Sequence, residues 1–317
     1  MRAIKCTIRS PLLGPMCFTR TMDQLGELGR RIESLAGGNM RPRWIDGVLV
    51  FAAGRVTEPT ISVTEPMLTL VVQGVKQTML GDHVFEHGPG QVAVVTVDLP
   101  LTGRIVRASA TEPFLALGLR LEPTTIAQLL VDGGPTAIRP HDGPGLAVSD
   151  ADDRLLDALV RLARLLDSPR DRQVLAPGVR REIHWWLLNG PQAAMIRQAG
   201  SADSRLALVA RAIAWIKERS DRVIRIADLA EDVGTSVSSL NRHFRAVTAM
   251  SPLQYQKQIR LQKARLALLA APHDVAAVGY AVGYDNPSQF SREYRRMYGA
   301  PPGRDAVRLQ TMAIVQE

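Results

Sequence analysis

The chain has 317 residues, of which 46% are hydrophobic, and a formal charge of +8. This length points to two domains, and the composition excludes a disordered or low-complexity chain. No apolar run approaches the ~20 residues that a bilayer span needs, and the two cysteines, Cys6 and Cys17, make neither a disulfide framework nor a zinc site.

Residues 1–20 read as an irregular start, with scattered charges and no signal-peptide core, so a cytoplasmic protein without membrane association is expected. Residues 21–36 predict a helix with Thr21 as its cap and Leu25, Leu28, Ile32 and Leu35 on one face. Gly37-Gly38-Asn39 stops it. From Trp44 to Leu121 short β-branched runs alternate with turn residues. The runs are Gly47–Phe51, Leu68–Gln73, Gln91–Val97, Gly103–Arg107 and Phe114–Leu119. The separators are Gly74, Gly81-Asp82, Gly88-Pro89-Gly90 and Leu99-Pro100. Many short strands at this spacing predict an antiparallel sandwich or barrel.

Helical texture returns at Thr124–Val131, and a Gly/Pro-rich loop follows from Asp132 to Gly145. The stretch Asp152–Asp167 is amphipathic, with Asp152-Asp153 as a helix start. Leu155, Leu159, Leu162 and Leu166 form an a/d-type seam there, able to pack on the protein's own barrel or on a second copy. A further helix lies within Arg170–Asn189, anchored by Ile183, Trp186 and Leu187. Gln192–Gln198 is a short one. Gly200 to Ser204 is the candidate linker, which sets the domains at 1–200 and 201–317.

The second domain starts with a helix over Ser204–Arg219, striped by Leu206, Val209, Ile213 and Ile216. A short helix, Ala227–Val233, ends at Gly234. Ser236 can cap Val237–Val247, which turns Leu240, Phe244 and Val247 inward and leaves Ser238, Asn241, Arg242 and Arg245 facing out. Pro252–Ala270 is a longer joining helix with Tyr255, Ile259 and Leu266 inward. A second helix-turn-helix follows. Val278–Val282 leads to Gly283, which can take positive φ. Asp285 or Asn286 can then cap a helix opening at Pro287. Phe290, Tyr294 and Met297 recur on its buried side. Ser288, Gln289, Arg292, Arg295 and Arg296 occupy the other faces. Gly299 ends the helix, and Pro301-Pro302 prevents its resumption. A polar helix rich in Arg and amide fits a DNA major groove.

The run Gly283 to Pro302, spaced G-Y-D-N-x-S-x-F-S-R-x-Y-R-x-x-x-G-x-x-P, closely resembles the C-terminal signature of AraC/XylS-type bacterial transcription regulators. This chain has Tyr294 where the family usually has Phe, and Pro301 where it has Ser or Thr. The I-R-x-x-K-A-R-x-L-L texture from Ile259 to Leu269 matches the family's joining helix. Pro66 to Pro123 resembles the cupin-like N-terminal domain of one branch. The matching pieces there are E-P-x-L-x-L-V-x-Q-G-x-K (Glu65 to Lys76), P-G-Q (Pro89 to Gln91) and V-D-L-P (Val97 to Pro100). The expected architecture is therefore α+β and multidomain: a β-rich cupin-like barrel with a helical extension, then an all-α domain with two helix-turn-helix units.

The resemblance implies a DNA-binding regulator. Ser236, Ser238, Asn241, Arg242 and Arg245 would lie on or beside the first recognition helix, and Ser288, Gln289, Arg292, Arg295 and Arg296 on the second. An Arg fork can bond O6 and N7 of guanine, and Asn241 or Gln289 can bond adenine. Arg245, Arg295, Arg296 and Lys257 suit phosphates, which position without specifying. Residues 201–317 hold 17 Lys/Arg and 11 Asp/Glu, so most of the excess positive charge lies there. The implied partners are double-stranded DNA, a small-molecule effector, RNA polymerase and a second copy of the chain. No P-loop, G-x-S-x-G or nucleophile–base set supports an enzyme, and no cofactor is expected. His83 and His87 read as plain surface rather than a metal site. Two rival readings are a cupin-type metal enzyme fused to a DNA anchor and an effector-independent DNA-binding protein.

Overall fold

The computed structural model describes residues 15–36, 42–134, 141–270 and 274–314. The chain divides into two compact units. One is Met1–Thr60 with Thr64–Ala207, and the other is Leu208–Glu317 with Ile61–Val63.

The first unit opens with helix α1 (Pro15–Ala36). It begins six residues before the expected start at 21, and Thr21 lies inside it instead of capping it. The Thr21 hydroxyl donates to Asp153 Oδ1 at 3.2 Å. Leu25, Leu28 and Ile32 are buried on one face, with Leu35 partly buried beside them. Cys6 and the Gly37-Gly38-Asn39 stop lie outside the described residues.

Nine strands follow among the described residues: β1 (Arg43–Ile45), β2 (Val48–Ala53), β3 (Thr60–Thr64), β4 (Met67–Gln73), β5 (Val75–Leu80), β6 (His83–His87), β7 (Gln91–Val95), β8 (Leu99–Arg107) and β9 (Phe114–Arg120). Helix α2 (Pro123–Asp132) and strand β10 (Leu146–Asp150) come next, then helices α3 (Asp153–Leu165), α4 (Pro169–Leu188) and α5 (Ala193–Ala199). The strands make a six-stranded sheet, β1-β2-β9-β4-β7-β10, and a four-stranded sheet, β3-β8-β5-β6.

Period-two alternation gives the larger sheet two apolar faces. Leu68, Leu70 and Val72 of β4, with Leu115, Leu117 and Leu119 of β9, join the core that α1, α3, α4 and α5 cover. Val71, Ala53, Phe114 and Ala116 point the other way and pack with Ile105 of the smaller sheet. The unit is thus three layers: helices, six strands, four strands.

Several expectations are corrected here. Leu99-Pro100 is not a separator but the start of β8, where the missing proline N–H is tolerated. Strand β10, between the expected loop and the start of α3, was not foreseen; it is held by pairing with β7, from Leu146↔Val95 to Asp150↔Gln91. The α3 leucines are buried within the unit: Leu155 4% exposed, Leu159 1%, Leu162 0% and Leu166 4%. They face α1 and α4 residues and leave no accessible apolar seam for a second copy, so the expected dimerisation surface is not there. The start of α3 is as read: Asp152 caps it by accepting from the Arg154 N–H at 2.9 Å.

The second unit is helical. It contains α6 (Arg205–Glu218, entering from the first unit), α7 (Ile226–Asp232), α8 (Val237–Thr248), α9 (Pro252–Ala270), α10 (Val275–Ala281), α11 (Pro287–Tyr298) and α12 (Pro302–Ile314). Leu206, Val209, Ile213 and Ile216 of α6 are all buried. Gly299 ends α11 as expected, but Pro301-Pro302 does not keep the chain out of helix: Pro302 opens α12, which the sequence reading missed. Leu266 is 63% exposed, against expectation. The reason is that α9 serves two cores. Near its start Tyr255 and Ile259 are buried, and further along the buried positions are Leu261, Ala264 and Leu268. The covered face rotates along the helix, so a single stripe drawn from Tyr255 runs out into solvent.

Candidate nucleic-acid interface

Two helix pairs, α7–α8 and α10–α11, repeat one local design. In the first, Gly234 at φ +74 makes the turn. Ser236 Oγ then accepts from the Ser239 N–H at 3.2 Å and caps α8. Leu240, Phe244 and Val247 are buried, and the Phe244 ring meets Tyr255 edge-on at 5.5 Å. The helix ends in the left-handed region at Ala249, whose N–H reaches the Arg245 carbonyl at 2.9 Å. In the second pair Gly283 at φ +90 makes the turn. Asn286 is the cap, and its Oδ1 accepts from the N–H groups of Ser288 at 2.8 Å and Gln289 at 3.2 Å. Pro287 takes the first helical position, and Gly299 at φ +76 closes the helix on the Arg295 carbonyl at 2.8 Å.

This phasing places the expected DNA-facing side chains of α8 and α11 in solvent. Ser236, Ser238, Asn241, Arg242 and Arg245 are exposed, as are Ser288, Gln289, Arg292, Arg295 and Arg296. Their resting contacts are weak and local. The Asn241 amide donates to the Val237 carbonyl at 3.0 Å, and Gln289 donates to Glu293 at 3.4 Å. Arg242 lies 3.5 Å from His243 Nε2. Arg245, Arg292, Arg295 and Arg296 make no ion pair among the described residues. Lys257 differs from expectation: its ammonium is committed to Glu293 at 2.9 Å and is not a free phosphate ligand.

The joining helix does more than span. Arg260 of α9 donates from Nε to the Ser220 carbonyl, from Nη2 to Arg222 and from Nη1 to Gly283, at 2.5, 2.7 and 2.7 Å. The Gln256 amide supports the same turn, donating to Ser220 and Arg222 carbonyls at 3.2 and 2.6 Å. The turn after α6 and the turn before α11 are therefore tied through one side chain.

Two buried carboxylates fix α11 from behind. Glu293 accepts from Tyr284 Oη at 2.9 Å as well as from Lys257. Asp305 of α12 is fully buried and accepts from Tyr294 Oη at 2.9 Å, Arg265 Nε at 2.9 Å and Arg308 Nη2 at 2.8 Å. Burial pushes both carboxyl groups up. The hydrogen bonds from Lys257 and Tyr284, and from Arg265 and Tyr294, outweigh it and hold each below the ordinary carboxylate value. Burial likewise raises the Tyr284 and Tyr294 phenols, which stay protonated and donate. Sequence reasoning did not single out these supporting residues. The one available signal was Tyr294 in place of the family's Phe, since a buried tyrosine hydroxyl usually finds a partner.

A family model described as the AraC-type transcriptional regulator N-terminus matches residues 44–195, and a helix-turn-helix domain model matches residues 229–306. The chain belongs to the AraC/XylS-type regulators. Among curated relatives it is 32% identical over 117 residues to a putative AraC-like transcription regulator of Streptomyces lividans, covering 37% of this chain and 38% of that one. It is 30% identical over 100 residues to the transcriptional activator RhaS of Salmonella schwarzengrund, covering 30% and 36%. The matches thus span a little over a third of those relatives' length. In fold the AraC-type chain resembles ToxT of Vibrio cholerae. Against an unsaturated fatty acid-bound ToxT from strain SCE256 the TM-score is 0.55, at 11% identity over 82% of this chain and 94% of that one. Against ToxT bound to (E)-4-(8-methylnaphthalen-1-yl)but-3-enoic acid it is 0.56, at 9% identity over 82% and 97%.

Among the described residues no group of three His, Cys, Asp or Glu side chains could hold a metal ion, and no helix is long and apolar enough to cross a membrane. The reading of His83 and His87 as surface holds for one of them. His83 is exposed, but His87 is 2% exposed, because the strand's alternation turns it inward.

Proposed function

We propose that this AraC-type chain is a sequence-specific DNA-binding transcription regulator of the cytoplasm, acting without enzymatic chemistry. The observation that carries the reading is the pair of capped helices α8 and α11, each exposing unpaired arginine, on a single stiff connector. Helix α9 has 19 residues and at ~1.5 Å per residue spans roughly 28 Å. Successive major-groove segments on one face of DNA lie ~34 Å apart. One copy therefore reaches two segments with modest DNA bending. Selection of binding sites from random duplexes by the full chain should return two preferred segments about one helical turn apart. Binding with no sequence preference would sink the proposal.

Control is proposed to come from a small molecule bound in the first unit. A ligand shifts a regulator only by differential affinity for its arrangements. The proposed assembly is a homodimer through the first unit, on a surface other than the buried α3 leucines, with RNA polymerase as the partner at the promoter. Sedimentation across a range of concentrations tests the dimer, and a strictly monomeric chain on and off DNA would remove it.

A further inference from the structure

The space between the two sheets holds a cation with no partner. Lys76 of β5 stands directly opposite Ile105 of β8 and His87 of β6. Side chains directly opposite across a sheet share a face, and Ile105 packs against Val71, Phe114 and Ala116 of the larger sheet. The row Ile105–Lys76–His87 therefore points into the interior. Lys76 is half-buried and makes no hydrogen bond or ion pair among the described residues. His87 Nδ1 is buried and has no partner either. Glu86, the carboxylate nearest in sequence, pairs with Gln77 on the opposite face and is exposed.

The lysine stem lies close on Gly103, where an added Cβ would come within 3.3 Å of Lys76 Cε, so only a residue without a side chain leaves it this path. Across the gap, Thr69 of the central strand β4 is flanked by Ala93 and Gly118 in register. Thr69 keeps accessible surface although it sits mid-sheet, as expected of a side chain on the wall of a cleft. Phe51 also keeps accessible surface, and its ring lies 5.9 Å from that of the fully buried Phe114. Burial lowers the Lys76 pKa, and burial together with the Lys76 charge brings His87 down to about 3. An interior ammonium without a counter-charge is expensive, as is a buried imidazole nitrogen without a hydrogen bond. Among the described residues nothing in the packing offsets either.

We propose that this inter-sheet space binds a small monocarboxylic acid, its carboxylate on the Lys76 ammonium and His87 Nδ1–H and its apolar body against Phe51 and Thr69. The acid neutralises the lysine and completes the histidine. This assigns the chemical class of the effector in the proposed regulator. Its effect on DNA rests on that reading, but the binding does not.

The test uses the purified full chain and a panel of butyrate, octanoate, benzoate and phenylacetate, each beside its matching primary alcohol. At least one acid should raise the melting temperature, since a ligand of the native state stabilises it, while its alcohol does not. Calorimetry should give that acid a Kd roughly tenfold to hundredfold weaker in Lys76→Met, the range expected for losing a charged hydrogen bond. The unliganded Lys76→Met chain should itself melt higher than the parent, relieved of its unpaired charge. His87→Asn is the second variant and should weaken the same acid. The inference is overturned if no acid outperforms its alcohol, or if both variants bind the acid as the parent does. DNA binding, read by anisotropy on the same preparations with a selected site, separates the two failures. Loss of the acid response with DNA binding intact removes only this site, whereas absent DNA binding removes the regulator reading and leaves the acid result standing.

Discussion

Arg260 and Gly283 meet across the junction of the two helix-turn-helix units, with the guanidinium donating to the glycine carbonyl over 2.7 Å. The approach is possible because residue 283 has no side chain. A Cβ there would lie 2.2 Å from the Asp221 carbonyl oxygen, and the backbone already stands at φ +90. Gly283→Ala thus combines a left-handed strain of ~1 kcal/mol or more with a backbone clash. It should lower the melting temperature of the second unit and abolish DNA binding. Arg260→Met removes three hydrogen bonds but leaves Gln256 on the Ser220 and Arg222 carbonyls and clashes with nothing, so it should destabilise less. Urea unfolding of both variants checks the order; a Gly283→Ala chain as stable as its parent would contradict the close approach.

Tyr294 and Asp305 give a second prediction. Tyr294→Phe restores the family's usual residue and removes one donor, while Arg265 and Arg308 still pair the carboxylate. The expected loss is ~1 kcal/mol. Asp305→Ala leaves the mostly buried Arg265 without its partner and should cost ~3–5 kcal/mol. Denaturant unfolding of the two variants measures the difference. Equal losses would mean that Asp305 works through the tyrosine alone.

The first unit should lose stability in acid through Glu27. Hydrogen bonds from Arg164, then Arg31, hold its carboxyl down at about 2 from an ordinary 4.5. A depressed folded pKa means stability that is fully present above the unfolded value and is lost as pH falls through the folded one. Glu27→Gln should flatten the stability profile between about 4.5 and about 2. It should remove only ~1 kcal/mol near neutrality, because the network is partly solvated. Melting temperature against pH for both chains is the measurement, and parallel profiles would exclude Glu27 as a source of the acid limb.

Residues 201–317 are proposed to be a separable domain, since most of the excess charge and both helix pairs lie there. Expressed alone, they should be helical by circular dichroism and bind DNA without any response to small molecules. A disordered fragment would move the boundary.

The helical unit was legible in the sequence because its signals are local. Ser236, Asn286, Gly283 and Gly299 act within a few residues of themselves, and the stripes through Phe244 and Tyr294 keep one period. The sheets were half legible. β4 and β9 carry continuous apolar runs, but β5 reads Val-Lys-Gln-Thr-Met-Leu, with polar residues on both faces. Short β1 could have been found from Asp46-Gly47, whose φ values of 45 and 76 suit a tight hairpin turn. The α3 seam was visible, but its partner was not, since a leucine stripe looks the same whether α1 and α4 or a second chain covers it. Arg260 and the Arg265–Asp305 pair were invisible for a related reason: the partners of Arg260 lie 23 to 40 residues away, and Arg265 lies 40 from Asp305.

The reading of DNA by two helices makes the sharpest prediction. Arg242 on α8 and Arg292 on α11 are both exposed, and the proposed geometry sends them to different grooves. A bidentate Arg–guanine contact is worth ~1–3 kcal/mol of discrimination. Arg242→Ala should therefore relax sequence preference in one segment of the site, and Arg292→Ala in another about one helical turn away. Arg296 is exposed and unpaired on the last turn of α11, in the position of a phosphate ligand. Arg296→Ala should weaken all sequences alike and reduce the salt slope by about 1. Site selection with each variant, read base by base and repeated at two salt concentrations, separates these outcomes. If Arg242→Ala and Arg292→Ala relax the same base pairs, or neither relaxes any, one copy does not occupy two grooves.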